Sequence, residues 1–401
     1  MRPDPTRCGS GVDMKLNRVN GQLGAGLCQL TLVFVVTEDW YFASHRLPLA
    51  RAAVASGYRV IVATRVREHG EVLRAAGCEV VALEWTRAAG NPFKDLMLLC
   101  RLVRLYRQSR PSAVHHVALK PVVLGSIAAT VAAVPIVVNA VAGLGYLFTN
   151  RGGLARFLRP PVRTALRSLL NRHGTWVIVQ NPDDLEDLRR EAALEDERTV
   201  LIRGAGVDLA EFPSWPLPGG VPLVVLPARM LWDKGVREFV SAARALRVDG
   251  VLARFALVGG IDKQNPRGIE RATIVQWVDE GVVEWWGHQP SMREVYQAAS
   301  VVCLPSYREG LPKALLEAAA SGRPIVTTDV PGCREVVTHE CNGLLVPPRD
   351  GSALATALRL LLADAELRAC MGARGRIRAE TEFSIERVVA DTLPLYSRPA
   401  P

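Results

Sequence analysis

Short runs of β-branched and other apolar residues alternate with amphipathic segments of helical length along the first half of the chain. The runs predicted to be strands are Leu30–Val36, Tyr58–Val66, Glu79–Leu83, Ala113–Val117, Ile136–Val141, Trp176–Gln180 and Val200–Arg203. Amphipathic segments such as Ser44–Ser56 and Pro92–Gln108 separate these runs. Because continuous apolar runs suit strands that are buried on both faces, the alternation predicts a parallel, doubly wound α/β sheet.

The same alternation restarts after a stretch rich in Gly and Pro. Strands of the second half are predicted at Pro222–Leu226, Arg254–Val258, Val282–Trp286, Val301–Leu304, Pro324–Thr328 and Gly343–Val346, followed by a last helix over Ile385–Tyr396. The predicted organisation is an N-terminal domain over 29–205, a linker over 206–220, a C-terminal domain over 221–383, and a final helix and tail over 384–401. Two such Rossmann-like domains would face each other across a cleft at the carboxyl ends of both sheets, where doubly wound folds bind ligands.

Two segments bear on targeting and on membrane insertion. Residues 1–28 lack a basic segment followed by an apolar one, so we expect no signal peptide. They are rich in Gly and polar residues, which predicts disorder, and Met14 is an alternative translation start. Residues 121–150 carry no charged side chain, but Pro135 and Asn139 interrupt them. We therefore expect a buried helix and a buried strand there rather than a membrane span.

The net charge of +9 is unevenly placed. Residues 1–205 carry 27 Lys/Arg against 17 Asp/Glu, whereas the remainder carries 22 against 23. No acidic residue occurs between Asp95 and Asp183, where eleven basic residues do. A cationic face implies an anionic partner, such as lipid headgroups, nucleic acid or a phosphorylated acceptor, with an ordinary solvated surface as the alternative. We expect no nucleic-acid partner, because the sequence contains no recognisable nucleic-acid-binding module.

The eight cysteines are scattered, without a Cys-x-x-Cys pair or a zinc-like spacing. Several lie inside apolar runs, as small core residues do. A reducing cytoplasm is the simpler inference, and neither a metal site nor a cofactor is expected.

The densest group of candidate site residues lies between Ser306 and Glu317. A strand ends near Pro305, and Pro312 suits the first position of a helix. The N–H groups and positive partial charge at that helix start are a natural seat for a diphosphate, which makes Gly310, Leu311, Pro312 and Lys313 candidates for binding it. Glu309 before the helix and Glu317 on its second turn could hold hydroxyl groups. The alternative is that both glutamates are simply solvated.

Two further segments follow predicted strands in the second half. Arg229 and Lys234 would lie at the carboxyl edge of the sheet, where two cations suit a leaving nucleoside diphosphate, and Gly235 suits a tight turn into the next helix. Gly259 and Gly260 would permit a close backbone approach to a ligand. Taken singly, each segment is equally compatible with a solvated loop or a plain turn.

Together these segments resemble the retaining glycosyltransferases of the GT-B class called family 4. The resemblance rests on four features: Glu309 and Glu317 with seven residues between them, Arg229 with Lys234 and Gly235, Gly206-Val207-Asp208 near Phe212, and the segment 332–348. It covers nearly everything from residue 30 to residue 396, with the motifs in the family's order.

The resemblance implies a GT-B fold whose C-terminal helix crosses back to the N-terminal domain. It implies sugar transfer with retained anomeric configuration and without a metal ion. Glu309 would position the donor sugar and Glu317 the ribose, while Arg229 and Lys234 would stabilise the departing diphosphate. UDP is the nucleotide expected from the resemblance.

The first domain departs from the commoner pattern of the family. Its segments after the first, fourth and fifth strands look like those of bacterial enzymes that build capsule, O-antigen or other glycans on polyprenyl-diphosphate carriers. Acceptor contacts are therefore expected among Glu38, His45, His115, His116, Lys120, Gly143 and Gly145. Each histidine could equally be a satisfied structural residue.

The resemblance thus implies a hexosyltransferase that moves a hexose or N-acetylhexosamine from a nucleotide sugar to a lipid-linked saccharide, on the cytoplasmic face of an anionic membrane. Residues 152–173, with arginines on neighbouring turns beside leucines, are the expected docking segment. The alternatives are a non-catalytic scaffold subunit of a polysaccharide assembly and a GT-B nucleotide-sugar epimerase.

Overall fold

The computed structural model describes residues 29–85, 92–141, 163–262 and 265–401. Thirteen strands lie in these ranges: β1 Thr31–Glu38, β2 Arg59–Arg65, β3 Glu79–Ala82, β4 Ala113–Val117, β5 Ile136–Ala140, β6 Thr175–Val179, β7 Thr199–Leu201, β8 Leu223–Pro227, β9 Arg254–Val258, β10 Glu284–Gly287, β11 Val301–Leu304, β12 Ile325–Thr328 and β13 Gly343–Val346. Each matches a predicted strand to within two residues at either end. The runs could be recognised because six of the strands are buried at every residue.

The strands form two separate parallel sheets, as the repeated alternation predicts. The first has the order β3-β2-β1-β4-β5-β6-β7 and the second the order β10-β9-β8-β11-β12-β13. In each sheet the strand order changes direction next to the strand that comes first in the chain, which is β1 in one sheet and β8 in the other. This change of direction opens a crevice at the carboxyl ends of the neighbouring strands. The α/β class and the two Rossmann-like halves are therefore confirmed.

Helices of the first half include α1 Asp39–His45, α2 Leu47–Ala55, α3 Gly70–Ala75, α4 Pro92–Ser109, α5 Leu119–Val131 and α6 Pro182–Ala192, and residues 163–170 are also helical. The predicted single helix over Ser44–Ser56 is wrong in one respect. The chain forms α1 and α2 with a break at Arg46, and Pro48 lies in the first turn of the second helix. Proline favours the first turn of a helix because its missing N–H has no partner to lose there, so α2 starts anew.

The helices of the second half are α7 Val236–Val248, α8 Arg271–Asp279, α9 Met292–Ala298, α10 Lys313–Ala320, α11 Cys333–Val336, α12 Gly351–Ala363, α13 Ala365–Glu382 and α14 Ile385–Thr392. They cover both faces of the second sheet. Phe239 of α7 and Leu358 of α12 pack in the core on one face, while Leu315 of α10 and Ala379 of α13 pack on the other.

The end of the chain packs against the first sheet. Val388 of α14 and Tyr396 lie in the same core as Phe34 of β1. The Trp176 indole donates a hydrogen bond from Nε1 to the Arg398 carbonyl at 2.9 Å. Residues after the second sheet therefore help to fix the position of the first domain relative to the second.

The charge-free stretch forms α5 and β5, as expected, up to Val141, and residues 142–162 lie outside the described part of the chain. No helix in the described ranges combines the length and apolar character that crossing a bilayer requires.

Candidate active site

The order of the second sheet brings the three predicted segments together. Strands β9, β8 and β11 are consecutive neighbours, so the loops that follow them share one edge of the sheet. A cavity of about 400 Å³ opens at this edge, against the first domain. Its walls include Arg229, Lys234 and residues 309–314 of the second domain, and Trp40, Tyr41, His45 and Gln180 of the first.

Lys234 and Glu309 form an ion pair in this cavity. The lysine Nζ lies 2.5 Å from Glu309 Oε1, and the Ser306 hydroxyl donates to the same oxygen at 2.6 Å. Both side chains are largely buried, with exposed fractions of 22% and 11%. The carboxylate is thus held in one orientation at the start of the loop before α10.

Gly235 is required for this placement. Its φ is +72°, and a Cβ there would lie 2.0 Å from the Pro305 carbonyl oxygen. Only glycine adopts that backbone conformation without strain and leaves room for the approach. The turn over Trp232–Lys234 therefore packs directly on the end of β11, which brings Lys234 to Glu309.

Glu317 is buried, so the alternative that this glutamate is simply solvated is wrong. The Tyr296 hydroxyl donates to its Oε2 at 2.9 Å, and Lys313 Nζ lies 3.4 Å from its Oε1. Burial raises the pKa of the Glu317 carboxyl, and Lys313 and Tyr296 partly offset that rise. Because Lys313 and Tyr296 partly offset the effect of burial, the Glu317 carboxylate on the first turns of α10 can still accept hydrogen bonds from hydroxyl groups of a ligand.

Arg229 pairs with an acidic residue that sequence reasoning missed. Its Nη1 lies 2.7 Å from Oδ2 of Asp262, whose side chain is only 14% exposed. The two loops are joined further by hydrogen bonds from Met230 N to the Gly260 carbonyl and from Ile269 N to the Met230 carbonyl, each 3.0 Å. The signal in the sequence that could have identified Asp262 is the position of this acidic residue shortly after Gly259-Gly260.

Gly259 allows another backbone segment of the protein, rather than a ligand, to approach closely. Its φ is +154°, and a Cβ there would lie 1.9 Å from the Ala228 carbonyl oxygen. Gly260 has ordinary room, since the nearest atom to its Cβ position is 3.7 Å away. The structure thus assigns Gly259 to the packing of the loop that carries Asp262 against the loop that carries Arg229.

The loop before α10 is held by the first domain. Asn181 donates from Nδ2 to the Gly310 carbonyl at 2.8 Å, and a Cβ on Gly310 would lie 2.7 Å from Gln180 Oε1. Lys313 Nζ donates to the Ser44 carbonyl at 3.0 Å. The helix start that could seat a diphosphate is therefore positioned by both domains. The sequence does not indicate Gln180 and Asn181 as site residues, because nothing in it shows that they contact residue 310.

His45 is the predicted acceptor-side residue that lines the cavity. Its Nδ1 lies 3.2 Å from the Tyr41 carbonyl, and its ring stacks on that of Tyr41 with centroids 4.2 Å apart. Because a carbonyl only accepts, Nδ1 carries the proton and Nε2 keeps its lone pair. Burial, reinforced by Lys313 and Arg46, lowers the pKa of His45 to about 3, so the ring is neutral at ordinary pH.

His115 and His116 do not reach the cavity, which corrects the expectation that they contact the acceptor. Both lie within β4 with no exposed surface. His115 Nδ1 is hydrogen-bonded to the Tyr396 hydroxyl at 2.7 Å. His116 contacts Tyr106 Oη through Nε2 and Asn139 Oδ1 through Nδ1, at 2.9 and 2.8 Å. Burial lowers the pKa of both rings, to about 4 for His116.

The other acceptor-side candidates are also engaged within the protein. Glu38 is 3% exposed, and its carboxylate lies 3.3 Å from Arg65. Lys120 Nζ lies 2.6 Å from Asp95 Oδ1, which ties the start of α5 to the start of α4. Neither residue lines the cavity. Gly143 and Gly145 lie outside the described residues.

No group of three His, Cys, Asp or Glu side chains with metal-binding geometry occurs within the described ranges. Positive charge in the cavity is supplied by Arg229, Lys234 and Lys313.

Two parallel-sheet domains that enclose a cationic cleft define the GT-B class, and the sequence comparisons agree with that assignment. Residues 31–181 match the family model "Glycosyl transferase 4-like", and residues 221–364 match "Glycosyl transferases group 1". The chain therefore belongs to the family 4 type of GT-B glycosyltransferases and is an enzyme of that class.

Three similar proteins illustrate the assignment. The N,N'-diacetylbacillosaminyl-diphospho-undecaprenol α-1,3-N-acetylgalactosaminyltransferase of Campylobacter jejuni is 28% identical, over 88% of this chain and 94% of its own length. The UDP-Gal:α-D-GlcNAc-diphosphoundecaprenol α-1,3-galactosyltransferase of Escherichia coli is 25% identical, over 76% of this chain and 79% of its own. The crystal structure of Anabaena HepE with UDP and glucose has the same fold, with a TM-score of 0.73, 18% identity, and 92% and 99% of the two chains covered.

Proposed function

We propose that the enzyme transfers a hexose or N-acetylhexosamine from a UDP-sugar to a polyprenyl-diphosphate-linked saccharide, with retained anomeric configuration. The observation that supports this most strongly is the grouping of Lys234, Glu309 and the start of α10 in one cavity between the domains. Both relatives named above carry diphospho-undecaprenol acceptors in their names, and one of them names UDP-Gal as donor.

On the donor side, the diphosphate would lie at the start of α10, where the first N–H groups of the helix lack intrahelical partners. Arg229 and Lys234 would stabilise the negative charge that develops on the leaving phosphate. Glu317, buried on the same helix, would accept from the ribose hydroxyls, and Glu309 from the hydroxyls of the transferred sugar.

In the reaction, the bond between the anomeric carbon and the β-phosphate oxygen breaks, and a bond from that carbon to the acceptor oxygen forms on the same face. The proton of the acceptor hydroxyl passes to the leaving phosphate oxygen. His45 supports the acceptor side of this step, because its neutral ring offers Nε2 as a hydrogen-bond acceptor at the cavity wall. The account requires no protein nucleophile and no metal ion.

A polyprenyl-linked acceptor also implies where the enzyme works. A polyprenyl acceptor resides in a bilayer, so the cleft would work at the cytoplasmic surface of an anionic membrane. The described half of the expected docking segment does not suit that role. Leu166 and Leu170 are buried in the core of the first domain, and Arg163 lies 3.4 Å from Glu191.

The test is to incubate the purified enzyme with a panel of UDP-sugars and a polyprenyl-diphosphate saccharide, and to measure the mass of the lipid. The account expects one hexose or N-acetylhexosamine to be added per acceptor. Conversion of a UDP-sugar to its epimer without any gain of lipid mass would overturn the proposal, and so would consumption of no donor at all.

A further inference from the structure

The side chain of Lys313 joins the two domains at the cavity. Its Nζ donates to the Ser44 carbonyl at 3.0 Å and to the Ser44 hydroxyl oxygen at 3.3 Å, both in the first domain. The same Nζ lies 3.4 Å from Glu317 Oε1 in the second domain. A lysine ammonium has three N–H donors, so these three oxygens can take all of its hydrogen bonds. The ammonium is therefore a link between the domains as well as a positive charge in the cavity.

The carboxylate at one end of this link is placed to receive a ligand. Glu317 is buried, and its Oε2 accepts from the Tyr296 hydroxyl at 2.9 Å. Oε1, which faces Lys313, is thus the oxygen that is left to accept from a further donor. In the proposed function that donor is a ribose hydroxyl of the UDP-sugar. The nucleotide and Lys313 would then share one carboxylate oxygen.

The other end of the link is the helix that carries the acceptor-side residue. Ser44 is followed directly by His45 at the end of α1, and Trp40, Tyr41 and His45 line the cavity together with Lys313. The hydrogen bonds from Lys313 therefore hold the segment whose side chains form the first-domain wall of the cavity. They set the distance between that wall and Glu317.

Two ion pairs between the domains lack this connection to the site. Arg334 Nη1 lies 3.3 Å from Asp183 Oδ1, and Arg203 Nε lies 3.3 Å from Glu335 Oε2. None of these four side chains lines the cavity. Lys313 differs from both arginines because one of its partners is the carboxylate to which the proposed function assigns the ribose.

We propose that Lys313 is a positioning residue that couples occupancy of the ribose subsite to the position of α1. A ribose hydroxyl that donates to Glu317 Oε1 takes up part of the carboxylate's hydrogen-bonding capacity and negative charge. The ammonium is then held less by Glu317 and more by the two oxygens of Ser44, so α1 is held more firmly. His45 is thereby fixed for the acceptor once the donor nucleotide is bound.

This coupling rests on the proposed function for the identity of its two ligands. Because coupling between two binding sites is reciprocal, a bound acceptor strengthens nucleotide binding by the same factor as the nucleotide strengthens acceptor binding. The coupling can be measured with UDP alone, which carries no sugar and permits no turnover. Its presence is therefore separable from catalysis.

The first test needs no acceptor. Hydrogen exchange of the full-length enzyme is followed by mass spectrometry on residues 39–45, with and without UDP. In the wild type we expect UDP to slow the exchange of α1 by about fivefold or more. In K313M, UDP should leave the exchange of α1 unchanged, because the side chain has lost its hydrogen bonds to Ser44 and its contact with Glu317.

The second test measures the coupling as a ratio of affinities. A short-chain, water-soluble polyprenyl-diphosphate saccharide is titrated into the enzyme by calorimetry, without UDP and with saturating UDP. The wild type is expected to bind this acceptor about five- to tenfold more tightly with UDP present. K313M should show no such gain. K313R should recover part of it, because the guanidinium keeps the charge and can donate to the same oxygens.

The matched control is R334Q, which removes an ion pair between the domains whose two side chains are each 40% exposed and lie outside the cavity lining. It should keep the wild-type effect of UDP in both measurements. Thermal melts verify that the variants are folded. S44A, which keeps Lys313 and loses only the hydroxyl contact, should show an intermediate coupling.

Three results would each overturn the proposal: no effect of UDP on α1 in the wild type, wild-type coupling in K313M, or an equal loss of coupling in R334Q. If the wild type shows the coupling but transfers no sugar, the proposed function fails and the role of Lys313 stands. If the wild type transfers sugar and UDP leaves α1 unchanged, the proposed function stands and the coupling fails.

Discussion

The two domains contribute to the cleft in different ways. In the second domain, candidate residues follow the ends of three neighbouring strands, and their side chains meet in ion pairs such as Lys234 with Glu309. In the first domain, His115 and His116 lie within a strand and are enclosed by the core, whereas His45, after the end of β1, is the one acceptor-side candidate among the described residues that lines the cavity. Polar residues beyond a strand end can reach a ligand, whereas those within this buried strand hydrogen-bond to other side chains of the core.

Removing the ion pair between Lys234 and Glu309 in the second domain is the strongest test of this contrast. Glu309→Ala and Lys234→Ala are each expected to lower kcat by about 10²–10³-fold, because each removes a group that the proposed mechanism places against the donor as charge develops. Steady-state kinetics measures the loss of kcat, and a thermal melt measures whether the fold keeps its stability. Glu284→Ala is the matched control, since its ion pair with Arg254 lies at the opposite edge of the same sheet and is more exposed. Near wild-type turnover in either cavity variant would contradict the assignment.

His45 tests the contribution of the first domain. His45→Ala is expected to raise the KM for the acceptor by about tenfold, the cost of one lost hydrogen bond, while the KM for the donor is unchanged. Since the pKa of His45 is lowered to about 3, no loss of activity on acidification between pH 8 and pH 5 should arise from its protonation. A rise in the donor KM instead would place His45 against the nucleotide sugar.

Asp262 tests whether its ion pair positions Arg229. Asp262→Asn should lower kcat several-fold and leave the acceptor KM unchanged, because the guanidinium loses the ion-pair partner that would orient it towards the phosphates in the proposed mechanism. Asp262→Glu should recover part of the loss if the charge is what matters. A variant with wild-type kcat would show that Arg229 needs no such partner.

His116 should affect stability rather than turnover. His116→Ala leaves the Tyr106 hydroxyl without its partner, at a cost of about 1–3 kcal/mol, and removes one of the two hydrogen bonds to Asn139 Oδ1, the other coming from the Ser126 hydroxyl. The native pKa, lowered by burial to about 4, lies below the ordinary value of 6.5, so the unfolded chain binds the proton first. Stability contributed by the neutral ring is therefore complete above pH 6.5 and is lost as the pH falls towards 4.

Thermal melts of the wild type and His116→Gln between pH 7 and pH 4 measure this effect. The variant should be less stable at pH 7 and lose less stability on acidification. An equal acid-induced loss in both proteins would assign the effect to other groups.

The smallest expected effect is that of a chelator. Arg229, Lys234 and Lys313 line the cavity, and no metal-binding cluster occurs among the described residues, so EDTA should leave turnover unchanged. Loss of activity that Mg²⁺ or Mn²⁺ restores would refute the metal-independent mechanism.

The architecture could be predicted from the sequence because buried parallel strands are continuous apolar runs with clear ends. The second-domain residues could be placed because each candidate follows such a run. The pairs Arg229–Asp262 and Asn181–Gly310 could not be predicted, since they join segments whose proximity depends on sheet order and on the packing of one domain against the other. The burial of His115 and His116 could have been anticipated from their place inside the predicted strand Ala113–Val117.

The central claim is that the second domain holds the donor nucleotide and the first domain the acceptor. Calorimetric titration of UDP into the wild type, Glu317→Gln and His45→Ala tests it most directly. We expect UDP to bind the wild type and His45→Ala equally and Glu317→Gln at least about tenfold more weakly, because the substitution replaces one of the two carboxylate acceptor oxygens by an NH₂ donor and removes the negative charge. Wild-type affinity in Glu317→Gln together with a loss in His45→Ala would contradict it.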